Sequence, residues 1–318
     1  MERFINVFNY IFVMGITKHK TPILQPLFSV IIPAHNEEDT IRKALESIRA
    51  QTEKSFEIIV VDDGSTDDTS KVIELYKKRE PRLRLVISNP VGTSAAKARN
   101  LGAKYAKGKY ILFHDADCVA DTCLLNNAAK DLEDWDLDGV ATRTSNTKPQ
   151  SWIQHAVATQ RAIRWENTTR PNPRPIMLDE NSGINVAIMR KDVFDTLGGF
   201  NENIFYFEDN DLTKRFFKTG NTAMFDKDVI QYHQDPLTLR ESLGQCKSIA
   251  KGIKTRGGVN LSEAIMLLIA LYGLVNVLPY IVLFLYMSFK SKDLLGSFYF
   301  TILWELRSLA KIYYLFVA

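Results

Sequence analysis

The sequence predicts an α/β fold with a mostly parallel, twisted sheet, followed by apolar helices toward the C-terminus. Three observations carry this prediction. Short β-rich runs alternate with amphipathic helical stretches through the first 120 residues. Among these runs, Tyr110 to Phe113 is continuously apolar, as a strand buried on both faces is. Acidic residues stand directly after them, at the strand ends where open α/β sheets bind ligands.

Phe28 to Ile32 is the first run, closed by Pro33, and Glu38 to Ala50 follows with Ile41, Ala44, Leu45 and Ile48 on one helical face. The pattern repeats with a buried strand at Glu57 to Val61 and a turn at Asp62 to Ser65. Asp67 and Asp68, with Val72, Ile73 and Tyr76, then make an acid-started amphipathic helix. Leu83 to Ile87 is a third strand, and a helix from Thr93 to Ala106 leads into the fourth, Tyr110 to Phe113. Past Asp117 the pattern loosens through the polar stretch Thr142 to Ser151, a helix-like segment at Ile153 to Trp165 and the Pro-rich loop Arg170 to Pro175. Gly183 to Met189 reads as a return strand. Lys191 to Leu197 is a short helix stopped by Gly198-Gly199, and Asp209 to Lys218 another stopped by Gly220.

Composition narrows the classes. At 318 residues, 46% hydrophobic and 24% charged, the chain has room for one large domain and an appendage. Its net charge of +3 is unevenly placed, with seven Lys/Arg against three Asp/Glu from Lys251 onward and 33 against 34 before it. So neutral a body argues against nucleic acid as a partner. Cys118, Cys123 and Cys246 are odd in number and lack metal-site spacing, so reduced thiols in a cytosolic compartment are expected.

From Ala264 to Phe289 no residue is charged, and Lys251, Lys254 and Arg256 precede the run while Lys290 and Lys292 follow it. The run is long enough to cross a hydrocarbon core and is read as one membrane span, with Pro279 as a kink. The tail from Leu294 is apolar until Glu305 and Arg307, and it reads either as a second span or as an interfacial helix. The apolar part of Met1 to Thr17 is too short to span. It reads as a surface-lying helix next to Lys18 and Lys20 or as one packed on the protein. The expected division is an N-terminal amphipathic segment at 1–26, a main domain at 27–258 and a membrane-anchoring region at 259–318.

The chemistry concentrates at strand ends. Tyr110 to Phe113 runs into Asp115-Ala116-Asp117, two carboxylates that repel unless a cation lies between them, and hard oxygen ligands suit Mg2+ or Mn2+. Alone, such a pair also reads as a solvated turn. Asp62 and Asp63 follow the second strand, where a carboxylate accepts hydrogen bonds from a base or ribose, while one acid of such a pair also suits a cap. Lys97 and Arg99 read equally as phosphate contacts and as a solvated helix face. Glu208 and Asp209 open a helix whose dipole favours ionised carboxylates, and Asp211 reads as structural.

Four segments occur in a telling order: Ser29-Val30-Ile31-Ile32-Pro33-Ala34-His35-Asn36-Glu37-Glu38, then Val60-Val61-Asp62-Asp63-Gly64-Ser65-Thr66-Asp67, then Asp115-Ala116-Asp117, then Glu208-Asp209-Asn210-Asp211-Leu212, with Gly198-Gly199-Phe200 before the last. Together they resemble the signature of the family 2 glycosyltransferases, inverting enzymes with the Rossmann-like GT-A fold, over Leu27 to Gly252. The membrane-attached, non-processive members are the nearest type. The resemblance implies that Pro33, His35, Glu37, Asp63 and Asp115 bind the donor nucleotide, with His35 where the family often has Tyr. It implies that Asp117 is the principal ligand of a divalent metal, Mn2+ or Mg2+, with Asp115 reaching ribose or metal. His233, in Gln231-Tyr232-His233-Gln234, resembles a family His that completes the metal site, against a structural His as the rival. Asp209 matches the catalytic aspartate, and Glu208 beside it the acceptor contact. Arg161-Ala162-Ile163-Arg164-Trp165 is similar to an element of processive synthases but precedes Asp209 instead of following it.

The implied activity is metal-dependent, inverting transfer of a sugar from a nucleotide-diphosphate donor to a hydroxyl of a glycan or lipid-linked acceptor, at the cytosolic face of a membrane. A polyprenyl-phosphate acceptor, which needs no base, is the alternative, and a silent GT-A scaffold is another. No Gly-x-Gly-x-x-Gly follows the first strand, which sets a dehydrogenase aside.

Overall fold

The computed structural model describes residues 25–88, 94–146, 149–166, 176–179, 182, 184–204, 207–235, 238–255, 278–291 and 293–316. The predicted first half is present nearly as read. Strands β1 (Phe28–Ala34), β2 (Phe56–Asp62), β3 (Leu83–Ile87) and β4 (Tyr110–Phe113) pair in parallel in the order β3-β2-β1-β4. Between them run α1 (Ile41–Arg49), α2 (Thr69–Lys77) and α3 (Ala95–Tyr105). The strands lie between helices, and β1, β2 and β4 are almost wholly buried, whereas the edge strand β3 leaves Arg84 and Ile87 exposed.

The second half departs from simple alternation. β5 (Cys118–Ala120), α4 (Leu124–Asp134), β6 (Gly139–Asn146), α5 (Trp152–Glu166), β7 (Ile176–Met177), β8 (Ile188–Arg190), α6 (Lys191–Thr196), α7 (Glu208–Lys218) and β9 (Ala223–His233) follow in order. The sheet continues as β4-β8-β6-β9-β5, with β7 paired to β9. β8 enters antiparallel to both β4 and β6, while β6 and β9 run parallel to each other. The expected return strand is therefore real but only three residues long, and the polar stretch at Thr142 belongs largely to β6. Gly198 and Gly220 stop their helices with φ of 75° and 82°, as expected.

Gly199 is a second consecutive left-handed residue, φ 74°, and a Cβ there would stand 2.6 Å from Asn100 Oδ1. That close approach lets Asn100 donate to the Phe200 carbonyl at 2.9 Å and accept from the Phe200 N–H at 2.8 Å. The loop after α6 is thus pinned to α3, and Phe200 packs edge-on to Phe113 at 4.8 Å.

Beyond β9 come α8 (Leu239–Thr255), α9 (Leu278–Ser291) and α10 (Leu294–Phe316). α9 and α10 bury Met287, Phe300 and Leu303 against Ile153, Ala156 and Val157 of α5. Among the described residues no helix is long and apolar enough to cross a membrane. The expected span Ala264 to Phe289 lies outside the described residues up to 277, as does the N-terminal segment up to 24. The three cysteines are free thiols, with Cys118 and Cys246 buried.

Candidate active site

The loops after β1 and β2 form the first wall. Asn36 takes a left-handed φ of 57°, and its Oδ1 accepts from the Thr66 N–H at 2.8 Å. Glu37 N–H donates to Thr69 Oγ1 at 2.7 Å, and His35 Nδ1 lies 3.0 Å from the Asp63 carbonyl. The two acids after β2, equivalent in the sequence, separate here. Asp62 accepts from the Ser65 N–H at 2.9 Å and from the Ser70 hydroxyl, so it closes the turn, while Asp63 faces a cavity. Pro33, His35, Glu37, Asp63, Asp115 and Asp117 all line this cavity of about 250 Å³. Every predicted donor residue is thereby brought to one place.

The second wall is the turn after β4. Register sets its partner: the β5–β9 ladder puts Cys118 opposite His233, beside Asp117. His233 Nε2 lies 3.2 Å from Asp117 Oδ2, and its Nδ1 lies 3.1 Å from Asp235 Oδ1 on the chain just past β9. His114, fully buried and kept from charging by that burial, holds the turn through Gln231 and the Cys118 carbonyl. Ligand atoms of Asp117, Cys118 and His233 fall within 4.8 Å of one another, so the geometry suits a cation bound chiefly by the carboxylate and imidazole. Burial raises Asp117 above the usual carboxylate range, against His233, and Asp115 adds to it. Glu37 is likewise raised by burial, with Asp117 and Asp115 contributing after Thr40 opposes. Such crowded acids are what a divalent cation relieves. Asp115 is not one of the three groups Asp117, Cys118 and His233.

Its partner is Arg99. The guanidinium donates to Asp115 Oδ1 at 2.7 Å and to Glu208 Oε1 at 2.5 Å, and it lies over the Phe200 ring at 5.5 Å. Burial would raise Asp115, yet Arg99, and after it His233, hold it below the ordinary value. Arg99 and Asp115 also line a second cavity of about 470 Å³, shared with Asp209, Asn185, Thr142 and Phe200. The ion pair is the partition between the two cavities. In the sequence Arg99 reads equally well as a solvated helix face, and its position directly before Asn100, which pins the Phe200 loop, is the signal that separates the two readings.

Asp209 opens α7 at the mouth of the second cavity. Asn185 Nδ2 donates to its Oδ2 at 2.6 Å, and its Oδ1 accepts from the Asn210 N–H at 2.8 Å. Asp209 is exposed to solvent, yet desolvation by the protein around it pushes the carboxyl above the usual range, against the pull of Arg99. Glu208 is raised by burial in the same way. Asp211 instead pairs with Arg215 at 2.7 Å and is structural, as read. Asn185 and Asp235, which touch Asp209 and His233, are residues that the sequence reading does not single out. Asn185 lies on an irregular segment with no pattern to mark it, whereas the His-x-Asp spacing of His233 and Asp235 is visible at the end of a strand.

Known proteins match this arrangement. The uncharacterized glycosyltransferase EpsJ of Bacillus subtilis is 26% identical over 225 residues, 68% of this chain and 63% of the relative. The Escherichia coli UDP-Glc:alpha-D-GlcNAc-diphosphoundecaprenol beta-1,3-glucosyltransferase WfaP is 43% identical over 107 residues, 34% of this chain and 41% of the relative. The chain thus spans less than two thirds of these relatives' own length. Among solved structures, Staphylococcus aureus TarS 1-349 in complex with UDP-GlcNAc superposes with a TM-score of 0.52 at 22% identity, covering 71% of this chain and 66% of that one. The mannosyltransferase PcManGT from Pyrobaculum calidifontis, in complex with GDP-Man and Mn2+, gives 0.55 at 20% identity, covering 91% and 75%. Both share the GT-A type of fold. The model of the family described as Glycosyl transferase family 2 matches residues 29–198, more than half of the sequence. That span runs from β1 to the glycine pair pinned by Asn100 and carries the loops and acids of the first cavity, and the chain belongs to glycosyl transferase family 2.

Proposed function

We propose that the protein transfers a sugar from a nucleoside-diphosphate donor to a hydroxyl of a glycan or lipid-linked acceptor, with inversion, at the cytosolic face of a membrane. The observation that carries this reading is the pair of joined cavities. One gathers Pro33, His35, Glu37, Asp63, Asp115 and Asp117, the other holds Asp209, and Arg99 and Asp115 stand at their boundary. The ligands named for TarS and PcManGT, UDP-GlcNAc and GDP-Man, support a nucleotide-sugar donor. The name of WfaP supports a lipid-linked acceptor.

In this reading the nucleoside lies on the loops after β1 and β2, with Asp63 toward the base and His35 and Glu37 beside it. Asp117 and His233 hold the cation. Their mixed oxygen and nitrogen donors favour Mn2+ over Mg2+, which prefers oxygen alone. Bound there, it supplies positive charge against the diphosphate that leaves. Asp209 takes the proton of the acceptor hydroxyl as that oxygen bonds to the anomeric carbon. The bond from that carbon to the diphosphate oxygen breaks on the opposite face, and the nucleoside diphosphate departs. A carboxyl raised toward the working pH is the stronger base, and Asn185 fixes its direction. A hydroxyl acceptor is favoured over a polyprenyl phosphate because the latter arrives already ionised and has no use for this base.

Asp209→Asn tests the assignment. Donor binding is expected to stay near wild type while turnover falls by about a hundredfold or more. Full activity in that variant removes Asp209 as the base, and activity on polyprenyl phosphate alone favours the other acceptor.

A further inference from the structure

Nine of the fourteen exposed large hydrophobic residues among the described residues lie on α9 and the first turns of α10. Ile281, Leu285 and Phe289 form one i, i+4, i+8 row, and Leu294, Phe298 and Ile302 form another, with Phe289 83% exposed. The inner sides of both helices are already used. Met287, Phe300 and Leu303 are buried against α5. Asp293, at the head of α10, accepts from His155 Nε2 at 2.7 Å and from the Gly296 N–H at 2.9 Å, locking the pair onto α5. A helix apolar on its outer side as well as its inner one has a second apolar neighbour.

We propose that this outer face is a lipid-docking surface that rests in one leaflet of an anionic bilayer. It rests on the membrane-face reading above and names the surface that makes the contact. Charge distinguishes a bilayer from a second copy of the chain. Lys290 and Lys292 stand at the junction of the two helices in sequence, and Lys251, Lys254 and Arg256 precede the uncharged run that leads into α9. From Lys251 onward basic residues outnumber acidic ones seven to three, and of those three Asp293 is engaged by His155. A second copy of the chain adds the same excess of basic residues, whereas anionic headgroups neutralise it. The uncharged run from Ala264 also continues in sequence into α9, so the apolar character of the helix is part of a longer stretch of the chain.

The face is tied to the active site through neighbouring residues of α5. His155 holds Asp293, and Gln154 donates to the carbonyl of Asp235, the residue whose carboxylate meets His233. Docking therefore fixes how the cavities are presented to the membrane.

The test places a fluorophore sensitive to polarity at Leu285→Cys, at Phe298→Cys and, as a control on the far side, at Leu75→Cys, each in the full chain with Cys123→Ser. All three labelled positions are exposed, so folding is preserved, and this is checked by circular dichroism. The proteins are reconstituted in phosphatidylcholine vesicles with and without an anionic lipid and with quencher groups on the acyl chains. The two patch positions are expected to lose about half or more of their emission, more so with anionic lipid, and the control none, because interfacial helices sit within the headgroup and acyl boundary. Unquenched patch labels that transfer energy between molecules assign the face to a second copy and overturn the proposal. Patch cysteines that meet neither lipid quencher nor thiol reagent assign it to the chain's own remaining segments and overturn it equally. UDP and GDP binding measured on the same samples reports separately on the proposed function.

Discussion

Replacing Arg99 with Met removes the cation of the ion pair between the two cavities, and the structure sets the size of the effect. The Arg99 side chain is only 12% exposed and Glu208 only 11%, so their contact belongs to the buried regime, where loss of one partner costs about 3–5 kcal/mol. The Asp115 side is 49% exposed, and solvent screening leaves about 1 kcal/mol or less there. Met keeps much of the stem packed on Phe200, so the expected total is about 3 kcal/mol at neutral pH. For a domain of this size that is roughly 6–12 °C in Tm. The pH dependence carries the sharper signature. Burial already holds Glu208 above the usual carboxylate range with Arg99 pulling it down, so the variant's Glu208 rises further. A raised carboxyl contributes stability below its unfolded pKa and loses it as pH rises through its folded value. The variant's deficit is therefore largest in neutral and alkaline buffer and shrinks as the pH falls toward about 4. Urea titrations across that range measure it. A deficit below about 1 kcal/mol, or one flat with pH, refutes the bridge as the element holding this boundary.

Two further outcomes follow from groups around the sheet. Asp131 on α4 is pushed up to about 7, first by burial and then by Asp226 on β9, so its stabilising contribution is complete below the unfolded value and fades as pH rises through about 7. Asp131→Asn should accordingly melt above wild type in alkaline buffer and lose that advantage in acid, and equal melting curves at every pH would show the pair is solvated. Asp235→Asn should weaken Mn2+ binding by about tenfold to a hundredfold, read by calorimetry without substrate, since a carboxylate behind a ligating imidazole sets its direction. Unchanged affinity would leave Asp235 with only its hold on Gln154.

The parallel half of the fold was legible because β1, β2 and β4 are buried on both faces and each following helix has one apolar face; both patterns are local. The second half was less so. β5 and β8 are three residues each, and β6 alternates toward the polar second cavity, so their pairing depends on contacts far apart in sequence. The acids of the site were visible as residues, and the loops brought Glu37, Asp63, Asp115 and Asp117 together. What local pattern does not carry is which acid faces which way. Asp62 turned inward to Ser65 and Ser70, and Asp115 to Arg99 on α3. Asn185 likewise matters only through its contact with Asp209, 24 residues away, whereas Asp235 meets His233 locally at the end of β9.

The central claim is that the first cavity is a metal-assisted nucleoside-diphosphate site. Titration of UDP and of GDP into the purified protein by calorimetry, with Mn2+, with Mg2+ and with chelator, tests it most directly when Asp117→Ala is run alongside. Metal-dependent binding of one nucleotide, lost in the variant, is the predicted result. A folded protein that binds neither nucleotide, or binds one equally well in chelator and in the variant, contradicts it.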